Sequence, residues 1–207
     1  NFNYINTKEG FEENIKYLLK EGYTFISFKE LNDAYYNKIT LPDKSIMITF
    51  DDGYKSNYSL IYPILKKYNV KASVFVVTDN IGKEIDGKTY LTWEECKTME
   101  DSGLVEIYSH SKRHVFYNKL SSRTIYDDVK KSYEEIEKHL GKKDLKVFAY
   151  PYGAYTKETV WVLKNSGIDM QVYDIGINKK LDKDYIKRIN IPCEMTGKEI
   201  IEEINAY

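Results

Sequence analysis

Two aspartates stand side by side at Asp51 and Asp52, and two of the chain's three histidines, His110 and His114, lie four residues apart. Adjacent carboxylates can divide labour: one binds a cation, the other manages a proton, and the cation keeps both ionised. Two imidazoles at this interval share a face if the chain between them makes a helical turn, and they can then chelate one zinc-type ion. Asp52, His110 and His114 would give three protein ligands and leave a further position open for water or substrate. Asp51 would take the proton of that water as it attacks a carbonyl, which is metal-assisted hydrolysis of an acyl group. Each pair alone has an ordinary reading as well. Asp51-Asp52-Gly53 serves as a turn after a strand, and two histidines near a loop can simply be exposed.

The elements that must position these groups alternate. Ser45 to Phe50 (SIMITF) is a short apolar run ending in the aspartates, and it reads as one buried strand. Ala72 to Val77, Leu104 to Tyr108, Leu145 to Tyr150, Met170 to Tyr173 and Arg188 to Ile191 read as further strands. Helical stripes lie between them: Phe11, Ile15, Leu18 and Leu19 before Gly22, and then Tyr58, Ile61, Leu65 and Tyr68. Thr92-Trp93-Glu94-Glu95 is a capping box for a helix that stops at Gly103. Ser121 caps a long helix carrying Ile125, Val129, Tyr133, Ile136 and Leu140, closed by Gly141. Another runs from about Thr156 to Asn165, and a last helix ends the chain.

Short strands alternating with helices predict an α/β fold with parallel strands. In such folds, sites gather at the carboxyl ends of the strands. Asp51-Asp52, His110 to His114 and Pro151-Tyr152-Gly153 fall at three such ends, so one rim would collect them. The third segment reads as a plain turn, or as a rigid loop that aims the Tyr152 N–H at a developing oxyanion and lays its ring along a groove.

The 207 residues suffice for one domain spanning 1–207 with a full core. Lys+Arg number 31 and Asp+Glu 32, a net charge of −1, which gives no electrostatic case for nucleic acid or an anionic membrane surface. The 20 tyrosines suit sugar-contacting surfaces, or reflect codon bias together with Lys, Ile and Asn. Cys96 and Cys193 show no metal-type spacing and read as two buried or idle thiols. No apolar run approaches membrane-spanning length, and the chain starts at Asn1 without Met, as a processed piece truncated at its N-terminus would.

Thr49-Phe50-Asp51-Asp52-Gly53, His110-Ser111-Lys112-Arg113-His114 and Tyr150-Pro151-Tyr152-Gly153, in this order and at these intervals, resemble the first three motifs of the polysaccharide deacetylases. That family is also called carbohydrate esterase family four, or the NodB-homology domains. The resemblance covers about Phe11 to Arg188. It implies a distorted (β/α) barrel of about seven parallel strands that removes N-acetyl, or sometimes O-acetyl, groups from polysaccharides. It also implies a secreted or surface-attached protein and one divalent ion, zinc in first place with cobalt, nickel or iron as alternatives.

Residue by residue, the resemblance makes Asp51 the catalytic base, and Asp52, His110 and His114 the metal triad. Pro151 and Tyr152 become substrate-binding residues, with the Tyr152 N–H as oxyanion donor. Ala149 stands where the family's third motif usually has Arg, which looks more like the subgroup acting on poly-β-1,6-N-acetylglucosamine. There a late-strand Arg would orient the base, and Arg188 is the candidate, with an ordinary edge charge as its other reading. The fourth motif is not recognisable, with Asp174 the nearest acidic residue, and no His follows His139 to act as general acid. His139 itself reads as a surface residue near the end of the long helix. The alternatives are a peptidoglycan, chitin-oligomer or xylan deacetylase, or a weakly active or inactive polysaccharide-binding module of the same fold.

Overall fold

The structure, a computed structural model, describes residues 8–174, 176–192 and 194–207; Cys193 and the side chain of Asp174 lie outside the described residues. In chain order the elements are α1 (Lys8–Lys20), β1 (Thr24–Phe25), α2 (Phe28–Tyr35), β2 (Ser45–Ile46), β3 (Thr49–Phe50), α3 (Tyr62–Tyr68), β4 (Ala72–Val76), β5 (Glu84–Ile85), β6 (Lys88–Thr89), α4 (Trp93–Asp101), β7 (Val105–Ser109), α5 (Ser122–Leu140), β8 (Val147–Ala149), α6 (Lys157–Asn165), β9 (Met170–Asp174), β10 (Ile186–Arg188) and α7 (Gly197–Ala206). The caps expected from sequence form: Thr92 and Glu95 make a reciprocal box at α4, and Ser121 accepts from the Thr124 N–H at α5.

Six parallel strands form one sheet in the order β10-β9-β8-β7-β4-β3. The segment expected as one strand over 45–50 serves two neighbours in turn: β2 pairs with β1 and β3 pairs with β4, both in parallel. Counted once, this segment and β1 bring the parallel strands to the expected seven. The sheet is curled into a half barrel, because Arg188 on one edge strand reaches Thr49 and Asp51 at the other edge.

Side chains alternate between the two faces of this curl. Phe75, Tyr108, Val147, Ala149, Met170, Val172 and Ile186 share one buried cluster, and Phe28 from α2 packs into it, edge-on to Phe75 and Tyr108. Val74, Val76, Ile107 and Phe148 belong to the other cluster, with the helical residues Ile15, Leu65, Met99, Ile136 and Leu163. The first set is the filling of the curl and the second its outer, helix-covered layer. Among the described residues no helix is long and apolar enough to cross a membrane.

Four further features depart from the sequence reading. α2 and the β5–β6 hairpin were not anticipated. The stripe at Tyr58 to Tyr68 opens as a π-helical turn, Asn57–Ile61, before α3. The last sheet strand lies at 186–188 rather than 188–191, which puts Arg188 at its carboxyl end with the other candidates.

Glu106 points from β7 into the curl and accepts the Phe28 N–H at 2.8 Å, the Lys29 N–H at 3.1 Å and the Ser73 hydroxyl at 2.9 Å. It thereby satisfies two amides at the start of α2 that have no partner within the helix. Glu106→Ala should cost about 1–3 kcal/mol, the scale of leaving such donors unpaired. Urea denaturation reads this directly, and an unchanged midpoint would mean α2 does not depend on the contact.

Candidate active site

Strand parity delivers four of the site's side chains. Thr49 and Asp51 share the inward parity of their strand, His110 continues that of Glu106 and Tyr108, and Arg188 shares that of Ile186. Asp52 would alternate outward, but its φ of +69° turns it back toward the mouth of the curl. Gly53 follows at φ +77°, and a Cβ there would lie 3.0 Å from Val76 Cγ1, so any other residue would be strained in backbone and crowded against β4.

The histidines meet without a helical turn. Ser111 at φ +73° and His114 at φ +53° fold the intervening loop back on itself. The His114 N–H donates to Ser111 Oγ at 2.8 Å, the Ser111 N–H donates to Ser109 Oγ at 3.1 Å, and Ser109 Oγ pairs with Ser132 Oγ of α5 at 2.6 Å. The loop is pinned to α5 a second time, where the buried Asp128 carboxylate accepts Arg113 Nε at 3.3 Å and the Tyr117 hydroxyl at 3.0 Å.

Together these turns bring three ligand-type groups to one point. Asp52 Oδ1 lies 3.2 Å from His114 Nε2 and 3.6 Å from His110 Nε2, and the three donor atoms all fall within 4.8 Å of one another. His110 Nδ1 lies 2.8 Å from the Ala149 carbonyl, which can only accept, so Nδ1 carries the proton and Nε2 keeps its lone pair. Burial holds the His110 pKa below its ordinary value, outweighing the pull of Asp51, so the ring stays neutral as a ligand must. His114 Nδ1 meets the Tyr152 hydroxyl at 3.1 Å, and the opposite ring nitrogen, Nε2, faces Asp52. Geometry and tautomer therefore fit a divalent ion held by Asp52, His110 and His114.

Asp51 is differently placed. Arg188 Nη1 and Nη2 donate to its two oxygens at 2.8 Å each, and Nη1 also donates to Thr49 Oγ1 at 3.0 Å. Burial alone would raise the Asp51 pKa; the Arg188 guanidinium and then His110 outweigh it and bring it down to about 2. The edge-charge reading of Arg188 is thus replaced by a bidentate ion pair.

Tyr152 sits in a tight turn with Pro151 and Gly153 at φ +60°, and among the described residues its N–H has no acceptor. Four of the seven described non-glycine residues with positive φ (Asp52, Ser111, His114 and Tyr152) are in this site, and the other three are Asn or Asp, which tolerate it. Backbone strain is concentrated where side chains converge.

His139 is elsewhere, stacked on Trp93 at 4.6 Å, as its reading as a surface residue expects. Sequence reasoning missed Thr49 and the Ala149 carbonyl, whose contacts are remote in sequence, and the serine ladder, whose anchor on Ser132 is remote as well. It also missed Tyr54, whose hydrogen bond helps keep Asp52 ionised against burial. Replacing Asp52 or His114 by Ala should abolish zinc retention, measured by elemental analysis after dialysis. Stoichiometric zinc in either variant would show the ligand set to be wrong.

The polysaccharide deacetylase family model matches residues 38–171. Poly-β-1,6-N-acetyl-D-glucosamine N-deacetylase of Staphylococcus aureus (strain MSSA476) is 32% identical over 203 residues, covering 91% of this chain and 68% of that one. Another curated relative, from Bacillus subtilis (strain 168), is 33% identical over 165 residues, and the chain spans only 57% of its length. Among solved structures, Streptococcus pyogenes deacetylase PplD in complex with acetate superposes with a TM-score of 0.87 at 26% identity, covering 99% of this chain and 89% of that one. IcaB from Ammonifex degensii also gives 0.87, at 27% identity over 96% and 89% of the two chains. With a family model matching most of its length and a site assembled from three of that family's motifs, the chain belongs to the polysaccharide deacetylases.

Proposed function

We propose that this chain hydrolyses N-acetyl groups from an N-acetylglucosamine polymer in a metal-dependent reaction, with poly-β-1,6-N-acetylglucosamine as the favoured substrate. The observation that carries the proposal is the pairing, in one mouth, of the Asp52–His110–His114 donor set with an Asp51 gripped by Arg188. The choice of polymer is supported by Ala149 and Arg188, which match that subgroup's pattern, and by the similarity to the Staphylococcus aureus enzyme. A polymer of this kind implies a secreted or surface-attached protein.

The ion would supply Lewis acidity to the acetyl carbonyl and lower the pKa of the attacking water; two imidazoles and a carboxylate suit zinc, and also cobalt, nickel or iron. The chain's own groups do the rest. Asp51, ionised and held in one orientation by the guanidinium, accepts the proton of the attacking water. The Tyr152 N–H faces the oxygen on which charge develops, and Pro151 fixes the turn that presents it. The same Asp51 carboxyl would then return that proton to the departing amine, which closes the proton balance.

Peptidoglycan, chitin oligomers and xylan could use the same centre, and side-by-side substrate comparison separates them. A polysaccharide-binding module with little turnover is the second reading, favoured by Ala149 standing where the third motif usually has Arg.

Asp51→Asn should lower acetate release by about 10²–10⁴-fold, the usual contribution of a general base, with zinc still bound. Full activity in that variant removes Asp51 from the reaction. Arg188→Ala takes away the cation that depresses the Asp51 pKa. More Asp51 is then protonated at any acidic pH, so the acid limb of the kcat/KM profile should move to higher pH. An unmoved acid limb would deny Arg188 this role.

A further inference from the structure

The rim of the site carries an aromatic pair that the reaction itself does not use. Phe116, in the loop after His114, stacks on Tyr152 with ring centroids 4.0 Å apart and planes 11° from parallel. Tyr152 in turn leans on His114, centroids 4.5 Å apart, with its hydroxyl on Nδ1. Both outer rings stand open, Phe116 at 43% exposure and Tyr152 at 56%. An apolar ring costs free energy in water, and these two are not turned into the core beside them. Tyr152 occupies one face of Phe116, so the Lys119 ammonium, 4.8 Å from the Phe116 centroid, hangs over the other.

Lys119 is exposed to solvent and covers this face without being packed into the core. Its ammonium is a donor on a flexible stem, and it can swing from the ring to the hydroxyl or carbonyl oxygens of an arriving sugar. That movement frees an aromatic face one ring beyond Tyr152, on a surface continuous with the metal ligand His114. The C–H face of a pyranose suits such a ring, while the hydroxyl edge suits the lysine.

We propose that Phe116, backed by Tyr152 and attended by Lys119, is a specificity-determining residue that stacks on the sugar adjacent to the one being deacetylated. The inference rests on the polysaccharide reading of the site. It makes the chain a reader of polymer rather than of single N-acetylglucosamine units.

The test uses the zinc-loaded full chain and a β-1,6-linked N-acetylglucosamine tetramer, with N-acetylglucosamine monomer beside it. Phe116→Ala should raise the tetramer KM about five- to tenfold, the scale of one lost ring contact, with a much smaller change in kcat. The penalty should be smaller for the monomer, and Phe116→Tyr should restore most of the loss. Tetramer binding to Asp51→Asn, with and without Phe116→Ala, gives the same comparison without turnover. An unaltered tetramer affinity overturns the proposal. So does an equal penalty on monomer and tetramer, or a loss of zinc affinity, which would make Phe116 only a prop for Tyr152 and His114. Failure of the polysaccharide reading looks different: the unsubstituted chain then neither binds the tetramer nor releases acetate from it.

Discussion

The contact on which the site depends is the bidentate pair between Asp51 and Arg188, because it joins the two edges of the sheet. β3 and β10 are five strand positions apart in hydrogen-bonding order. Only a curled sheet lets a side chain on one reach a carboxylate at the end of the other. The pair sits above the apolar filling of the curl, with the guanidinium lying 5.7 Å from the centre of the Phe75 ring. Charge-assisted, two-pronged hydrogen bonding offsets the desolvation of both ions there. If Arg188 is removed, Asp51 loses both of its two-pronged hydrogen bonds and the largest cationic influence on its charge. The closure of the curl and the electrostatics of the reaction are therefore one feature of the structure.

Adjacent carboxylates with different neighbours acquire different roles, the general logic of paired acid and base groups. Asp51 faces a guanidinium and Asp52 faces two imidazoles, although one peptide bond separates them. What divides them is the left-handed backbone at Asp52, which defeats strand alternation and sends both side chains to one side. Left-handed residues at Ser111, His114 and Tyr152 complete the convergence, each at a cost of about 1–3 kcal/mol. The rigid frame that offsets this is visible in the buried serine ladder and in Asp128, which fasten the histidine loop to α5.

Much of this was legible in the sequence, and the reasons are local. Parallel strands followed from short apolar runs alternating with helical stripes. The capping boxes followed from Thr92 and Glu95, and the position of four site residues followed from their place after strands. Other features were written in the sequence but overlooked: Ser27-Phe28-Lys29-Glu30 is the same capping signature and opens α2. The remainder was not local. The split of 45–50 between two neighbours depends on sheet order, and the partnership of Arg188 with Thr49 depends on curvature. The tautomer of His110 depends on a carbonyl 39 residues away. The stacking of Phe116 on Tyr152 joins loops after two different strands, and no periodicity announces it.

The central claim is that the Asp52, His110 and His114 side chains hold one ion while Arg188 holds Asp51 beside it. Anomalous diffraction at the zinc edge, from crystals of the zinc-loaded chain, tests it most directly. The account predicts a single strong peak about 2.0–2.2 Å from His110 Nε2, His114 Nε2 and an Asp52 oxygen, as zinc ligation requires. In the same map Arg188 should still grip both oxygens of Asp51. A peak elsewhere, ligation through Asp51, or an Arg188 swung clear of the carboxylate would contradict it.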